Sequence, residues 1–221
     1  MLASHRARRT LGVLALSTLL LGACDHPLGL EGDGVAKTES RDVAAFDSIE
    51  LSGVVQLEIV TGPLEKLSIT GDDNLLPLLS TTVAGTKLTI KSTEAIHPKT
   101  PLVVTVHAPA VRAVDAAGVT TVHAAGIAVP TFALAMSGAS KAELSGQVTS
   151  FQVTLSGAVH VRAKDLVAKD ARVELSGAGN VELDATETLR ATVSGAGAVR
   201  YRGSPKVEKS ISGVGSVDPL P

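Results

Sequence analysis

The residues whose type and spacing could do chemistry are five serines, each followed by glycine and a small residue. They stand in Ser137-Gly138-Ala139-Ser140, Ser156-Gly157-Ala158-Val159, Ser176-Gly177-Ala178-Gly179, Ser194-Gly195-Ala196-Gly197 and Ser212-Gly213-Val214-Gly215. A serine becomes a nucleophile only with a base in reach, and these phrases hold neither histidine nor carboxylate. No catalytic residue is assigned. The serines are 19, 20, 18 and 18 residues apart, so they form a column rather than one cluster. Ser137, Ser156, Ser176, Ser194 and Ser212, with Ser52 earlier, could form a stripe beside Val54, Val119, Ala139, Ala158, Ala178, Ala196 and Val214. Such a stripe would let a β-face, a glycan or a sister molecule approach at little side-chain entropy cost. The same residues also suit a tight corner with local hydrogen bonds, which is turn chemistry alone.

Other candidates fail on spacing. The histidines are His5, His26, His97, His107, His123 and His160, and no pair has zinc-ligand spacing, so they read as surface residues and no metal is expected. Gly71-Asp72-Asp73-Asn74 lacks the alternating oxygens and terminal Glu of a calcium loop and reads as a turn. Glu143, Asp165, Glu174, Glu182 and Asp184 fall on outward positions. A polysaccharide-cleaving site needs such carboxylates to converge, or to recur in one column with a basic partner. The reading finds neither, and expects a non-enzymatic protein without cofactors. The net charge of −2, with no long run of one sign, gives no footprint for nucleic acid.

Cys24, the sole cysteine, has a different chemistry. Arg6, Arg8 and Arg9 precede an apolar run from Leu11 to Leu21, which is too short for the ~20 residues that cross a bilayer. It therefore reads as an export signal. Leu21-Gly22-Ala23-Cys24 resembles the bacterial lipobox, which implies cleavage before Cys24 and acylation of it. The membrane partner is thus engaged through lipidated Cys24, with residues 1–23 as the signal peptide. Asp25 resembles an inner-membrane retention signal, a rule that varies between lineages, so inner or outer membrane stays open.

These residues need elements to position them. Residues 24–40 carry Pro27, Gly29, Gly32 and Gly34 without periodicity and read as a lipidated tether. The folded domain is placed at 41–217. Ile49, Leu51, Val55, Leu57 and Ile59 alternate with polar residues as a half-buried strand does, and Lys66–Thr70, Lys87–Lys91 and Leu102–His107 read as further strands. Leu75–Leu79 suits a single helical turn. Thr81–Val83 and Lys87–Lys91 suit a hairpin or two consecutive solenoid strands, and Ile96–Pro101 a loop. From Val111 the same parity stays apolar or glycine through each repeat: Phe132, Leu134, Met136; Phe151, Val153, Leu155; Val173, Leu175, Gly177, Gly179, Val181. Glycine at inward positions marks a corner too tight for a side chain, or one that needs positive φ. A period of 18–20 residues is too short for a propeller blade. The expectation is an all-β chain, a parallel β-helix with rungs of about 18–20 residues.

Arg41–Ile49, the strands spanning Val55–Thr70 with Gly71-Asp72-Asp73-Asn74, Gly85–Ile90 and the Ser-Gly-Ala-Gly phrases together resemble the head GIN domain family of auto-transporter adhesin type. The resemblance covers about residues 41–217. It implies a right-handed β-helix in the cell envelope and transfers no catalytic residue. The resulting expectation is an exported, lipid-anchored, non-enzymatic adhesin or binding scaffold, with an envelope protein, a glycan or a second copy as partner. The alternatives are a periplasmic partner of an envelope-signalling or secretion system, and a carbohydrate-active β-helix enzyme.

Overall fold

The computed structural model describes residues 29–221. The signal segment 1–23, Cys24 and the first tether residues lie outside the described residues. What is described is all-β and contains no α-helix. Its strands are β1 (Leu30–Glu31), β2 (Ala36–Arg41), β3 (Ser48–Thr61), β4 (Leu67–Asp72), β5 (Leu79–Ala84), β6 (Lys87–Ser92), β7 (Ile96–His97), β8 (Val103–Ala108), β9 (Ala113–Gly195), β10 (Ala198–Arg202), β11 (Lys206–Gly213) and β12 (Ser216–Pro219).

β9 shows how the repeats are arranged. Its 83 residues would run roughly 270 Å at about 3.3 Å per residue if straight. The chain instead folds back on itself every 18–20 residues, so that each lap lies on the one before. Gly138 sits on Gly118, Gly157 on Gly138 and Gly177 on Gly157. β11 continues the pattern, in parallel register with β9 from Lys206 opposite Thr188 to Gly213 opposite Gly195. β10 pairs in parallel with β9 and β12 with β10, each 18 residues on. At the other end, β3 lies parallel to the first lap of β9, Ser48 opposite Ala113 through Val60 opposite Ala125.

The alternation read from the sequence is the burial pattern. Phe132, Leu134, Met136, Phe151, Val153, Leu155, Val173, Leu175, Val181 and Leu183 are all buried in one continuous cluster that runs from Phe46 to Val217. Phe132 and Phe151, one lap apart, stack with ring centroids 6.2 Å apart. A core of stacked columns requires each position to match its neighbour one lap away, not its neighbour in sequence. Ser140 shows this: it is a buried hydroxyl in a column that also holds Val55, Thr120, Val159 and Gly179. Thr120, one lap earlier and also buried, donates to Ser140 Oγ at 2.9 Å, and Ser140 Oγ donates to the Ser137 carbonyl at 3.1 Å. The pair satisfies itself, as buried hydroxyls must.

The sheet is mixed rather than uniformly parallel. β4 runs antiparallel to both β2 and β8, and β5 antiparallel to β6, so the Thr81–Val83 segment is part of a hairpin. Leu76–Leu78 is the expected helical turn, of 3-10 type, and Ile96–His97 forms a short strand within the expected loop. The tether expected through Ser40 is corrected. β1 lies inside it and β2 runs across its end, β1 paired with β7 and β2 with β4. β2 is a mostly exposed edge strand and needs no apolar face, so it left no alternation to read. Arg41 fixes its end by donating to the Leu76 carbonyl at 2.8 Å and to the Leu79 carbonyl.

Asp72 fastens the start of this N-terminal end. It is buried, and its carboxylate accepts amide hydrogens from Gly34 at 3.0 Å, Lys99 at 2.9 Å and Thr100 at 3.1 Å. Burial penalises the charge, but hydrogen bonds from the Thr100 amide and side chain and from the Lys99 and Gly34 amides together outweigh it and hold the carboxyl below its ordinary range.

Candidate functional site

The corner that carries the repeated phrase is built by glycine. Gly53, Gly118, Gly138, Gly157, Gly177, Gly195 and Gly213 all have positive φ. At Gly177, where φ is +123°, a Cβ would lie 2.6 Å from the Gly157 carbonyl oxygen of the lap beneath. The constraint is therefore backbone conformation and close lap-to-lap approach. This refines the expectation of inward glycines. Gly138 and Gly157 are exposed and Gly177 half-buried, whereas the second glycine, Gly179, is buried against the Val159 carbonyl.

The serines before these glycines face outward. Ser156, Ser176, Ser194 and Ser212 are exposed, while Ser52 and Ser137 are half-buried. Among the described residues, no side-chain hydrogen bond engages Ser156, Ser176, Ser194 or Ser212. The residues two positions further on are exposed as well: Val54, Val119, Ala139, Ala158, Ala178, Ala196 and, at 88%, Val214. A corner of short side chains thus runs the length of the stack, with six steps of about 4.8 Å between Gly53 and Gly213, roughly 29 Å.

The adjoining face holds what the sequence reading missed. Six positions after each serine of the column stand Glu58, Glu143, Arg162, Glu182, Arg200 and Asp218, with His123 in the same column. Registers place Glu58 opposite His123, Glu182 opposite Arg200 and Arg200 opposite Asp218. Arg162 reaches Glu143 at 2.8 Å, His123 Nδ1 lies 3.4 Å from Glu143, and Arg200 approaches Glu182 at 4.0 Å. From Glu143 to Asp218 the sign of the charge alternates from lap to lap. The expectation that these carboxylates have no basic partner in their column is thereby overturned: the partner is one lap away rather than in the same repeat. The signal was legible, because Glu143, Arg162, Glu182, Arg200 and Asp218 keep the serines' own spacing of 19, 20, 18 and 18.

Asp165 and Lys164 border this face beside Arg162 and Glu182, along an open groove. Glu174 lies on a different face, where Arg172 donates to it at 2.7 Å. Asp184 stands opposite Arg202. His160 lies 3.5 Å from the Asn180 side-chain nitrogen, one lap on. Phe46, Phe132 and Phe151 are buried and Tyr201 half-buried, so no ring stands out to stack on a sugar. Among the described residues, no three His, Cys, Asp or Glu side chains converge on a point that could hold a metal ion.

The family pattern described as "Putative auto-transporter adhesin, head GIN domain" matches residues 45–205. The chain belongs to this family. The fold of this head GIN domain recurs in solved structures. A "putative adhesin" from Bacteroides fragilis NCTC 9343 superposes with a TM-score of 0.67 at 20% identity, over 87% of this chain and 100% of that one. A "putative lipid binding protein" from Parabacteroides distasonis ATCC 8503 gives 0.56 at 19% identity, over 87% and 99%. A "putative adhesin" from Parabacteroides merdae ATCC 43184 gives 0.51 at 16%, over 88% and 100%. At these identities the likeness is one of fold. No curated protein matches the chain.

Proposed function

We propose that this head GIN domain is a right-handed parallel β-helix held at the cell envelope by lipidated Cys24, and that it acts as a non-enzymatic binding protein of adhesin type. The observation that carries the reading is the corner of short, exposed side chains, whose serine hydroxyls at 156, 176, 194 and 212 make no internal hydrogen bond. A face free of long side chains loses little entropy when a partner closes on it. The short repeat, the parallel laps and the handedness that parallel crossovers prefer support the solenoid. The descriptions of the Bacteroides and Parabacteroides relatives as adhesins support the function, and the lipid-binding description of one suits a chain held at a bilayer. Glu143 and Glu182, the carboxylates an enzyme would need, are engaged by Arg162 and Arg200 on an open face, which weighs against the carbohydrate-active alternative. Asp25 after the lipobox favours the second reading, a periplasmic partner of another envelope protein.

Protease treatment of intact cells carrying the full-length protein separates the two. Degradation with the cells intact is the outcome expected of an adhesin. Protection until the envelope is opened would leave the periplasmic reading.

A further inference from the structure

Given the proposed anchoring at Cys24, on which this inference rests, the start of the folded chain limits how the molecule can stand. Gly29 already belongs to the described structure, and Leu30 pairs with Ile96. Four residues lie between Cys24 and Gly29, five Cα steps in all, so the link spans at most about 18 Å even when fully extended. The strand order β12-β10-β9-β3-β8-β4-β2 puts β2 at one end of the ladder and β12 at the other. The end that carries β1 and β2 is therefore the one the anchor holds close.

That end also exposes apolar side chains. Leu30 is 45% exposed and Val35 59% exposed, both within the first seven described residues. Of the charged groups around them, Lys37 pairs with Asp73 at 2.7 Å and Lys99 with Glu31 at 3.8 Å, while the Asp33 carboxylate accepts the Val35 amide hydrogen at 2.9 Å. We infer that Leu30 and Val35 dip into the interface of the bilayer that holds Cys24, so that the solenoid stands on its N-terminal end and its last lap, with Val214, faces away. Two apolar side chains alone bind a membrane weakly. A tether this short holds them at an effective concentration on the order of millimolar or more, which makes a weak contact populated.

The chain contains no tryptophan, so a single introduced one reports its own surroundings. Full-length lipidated protein carrying Leu30→Trp, Val35→Trp or Val214→Trp is mixed with phosphatidylcholine vesicles brominated on the acyl chains. Co-sedimentation with the vesicles, compared with Cys24→Ala, reads the anchor separately. The expected result is co-sedimentation of all three, with a blue shift and loss of about half the emission for Trp at 30 or 35, and neither for Trp at 214. Co-sedimentation with emission at 30 and 35 unchanged, or with equal quenching at 214, overturns the inference and leaves the anchor standing. Absence of co-sedimentation removes the anchor and the inference together. A blue shift that grows with protein concentration in the absence of vesicles would mean that a second copy covers these residues, which also overturns it.

Discussion

At the scale of single residues, the repeated Ser-Gly phrase divides into two roles. Gly177 combines φ of +123° with a lap beneath it so close that a Cβ would meet the Gly157 oxygen at 2.6 Å and its nitrogen at 2.8 Å. Both contacts are to backbone, which cannot swing aside as a side chain would. Gly177→Val is expected to lose about 1–3 kcal/mol or more, read as a lowered denaturant midpoint at unchanged slope. Ser176 is exposed and its hydroxyl makes no internal bond, so Ser176→Ala is expected to stay within about 0.5 kcal/mol of the parent. A silent Gly177→Val beside a damaging Ser176→Ala would reverse the roles. The serines would then support the fold rather than form a surface free for a partner.

At the scale of elements, what was legible in the sequence depended on whether an element's partner leaves a mark on its own residues. The laps of β9 alternate because each is buried on one face, and the 18–20 residue period repeats because identical corners must stack. β2 pairs through its backbone with both faces largely exposed, so Ala36–Arg41 carried no pattern, and a tether was the natural reading of it. The Glu143–Arg162 and Glu182–Arg200 contacts left a mark at lap spacing, which is visible only to a search for alternating sign along a column. Ser140 left no mark in its own repeat because its partner Thr120 is 20 residues away. Asp72 was read as a turn residue, and its burial turns that reading into a prediction. Its folded-state pKa is depressed, so its stabilising contribution is present above the unfolded value near 4. That contribution fades as pH falls through the lower folded value. Thermal melts of the parent should therefore lose stability on acidification below about pH 4. Asp72→Asn would present amide hydrogens to the amide donors of Gly34, Lys99 and Thr100. It should melt lower at neutral pH and show a shallower acid slope. An unchanged acid slope would mean that other carboxylates govern it.

At the scale of the whole molecule, the two ends of the stack are finished differently. The β4, β5 and β2 strands run antiparallel at the N-terminal end. At the other, β11 pairs on one side only, with β9. Its inward positions, Val207, Lys209 and Ile211, lie opposite Leu189, Ala191 and Val193, so Lys209 occupies a column that is apolar one lap below. Its ammonium donates to the Val217 carbonyl at 3.3 Å, and its stem thereby crosses the open end of the core. An inward-pointing charge of this kind is how a sheet edge discourages another strand from adding to it. Without it, two β11 edges meeting antiparallel about residue 209 would set Val207 of each opposite Ile211 of the other, and Ile211 is already 40% exposed. In the parent, the same approach brings two Lys209 ammoniums together, at a cost comparable to a like-charge cross-strand pair. Lys209→Val is therefore expected to show more concentration-dependent association in sedimentation velocity than the parent. Lys209→Arg, which keeps the charge, should sediment as the parent does. A Lys209→Val variant that sediments as the parent does would mean that this end is guarded by something other than Lys209, for which Pro219, the last residue of β12, would be the next substitution to make.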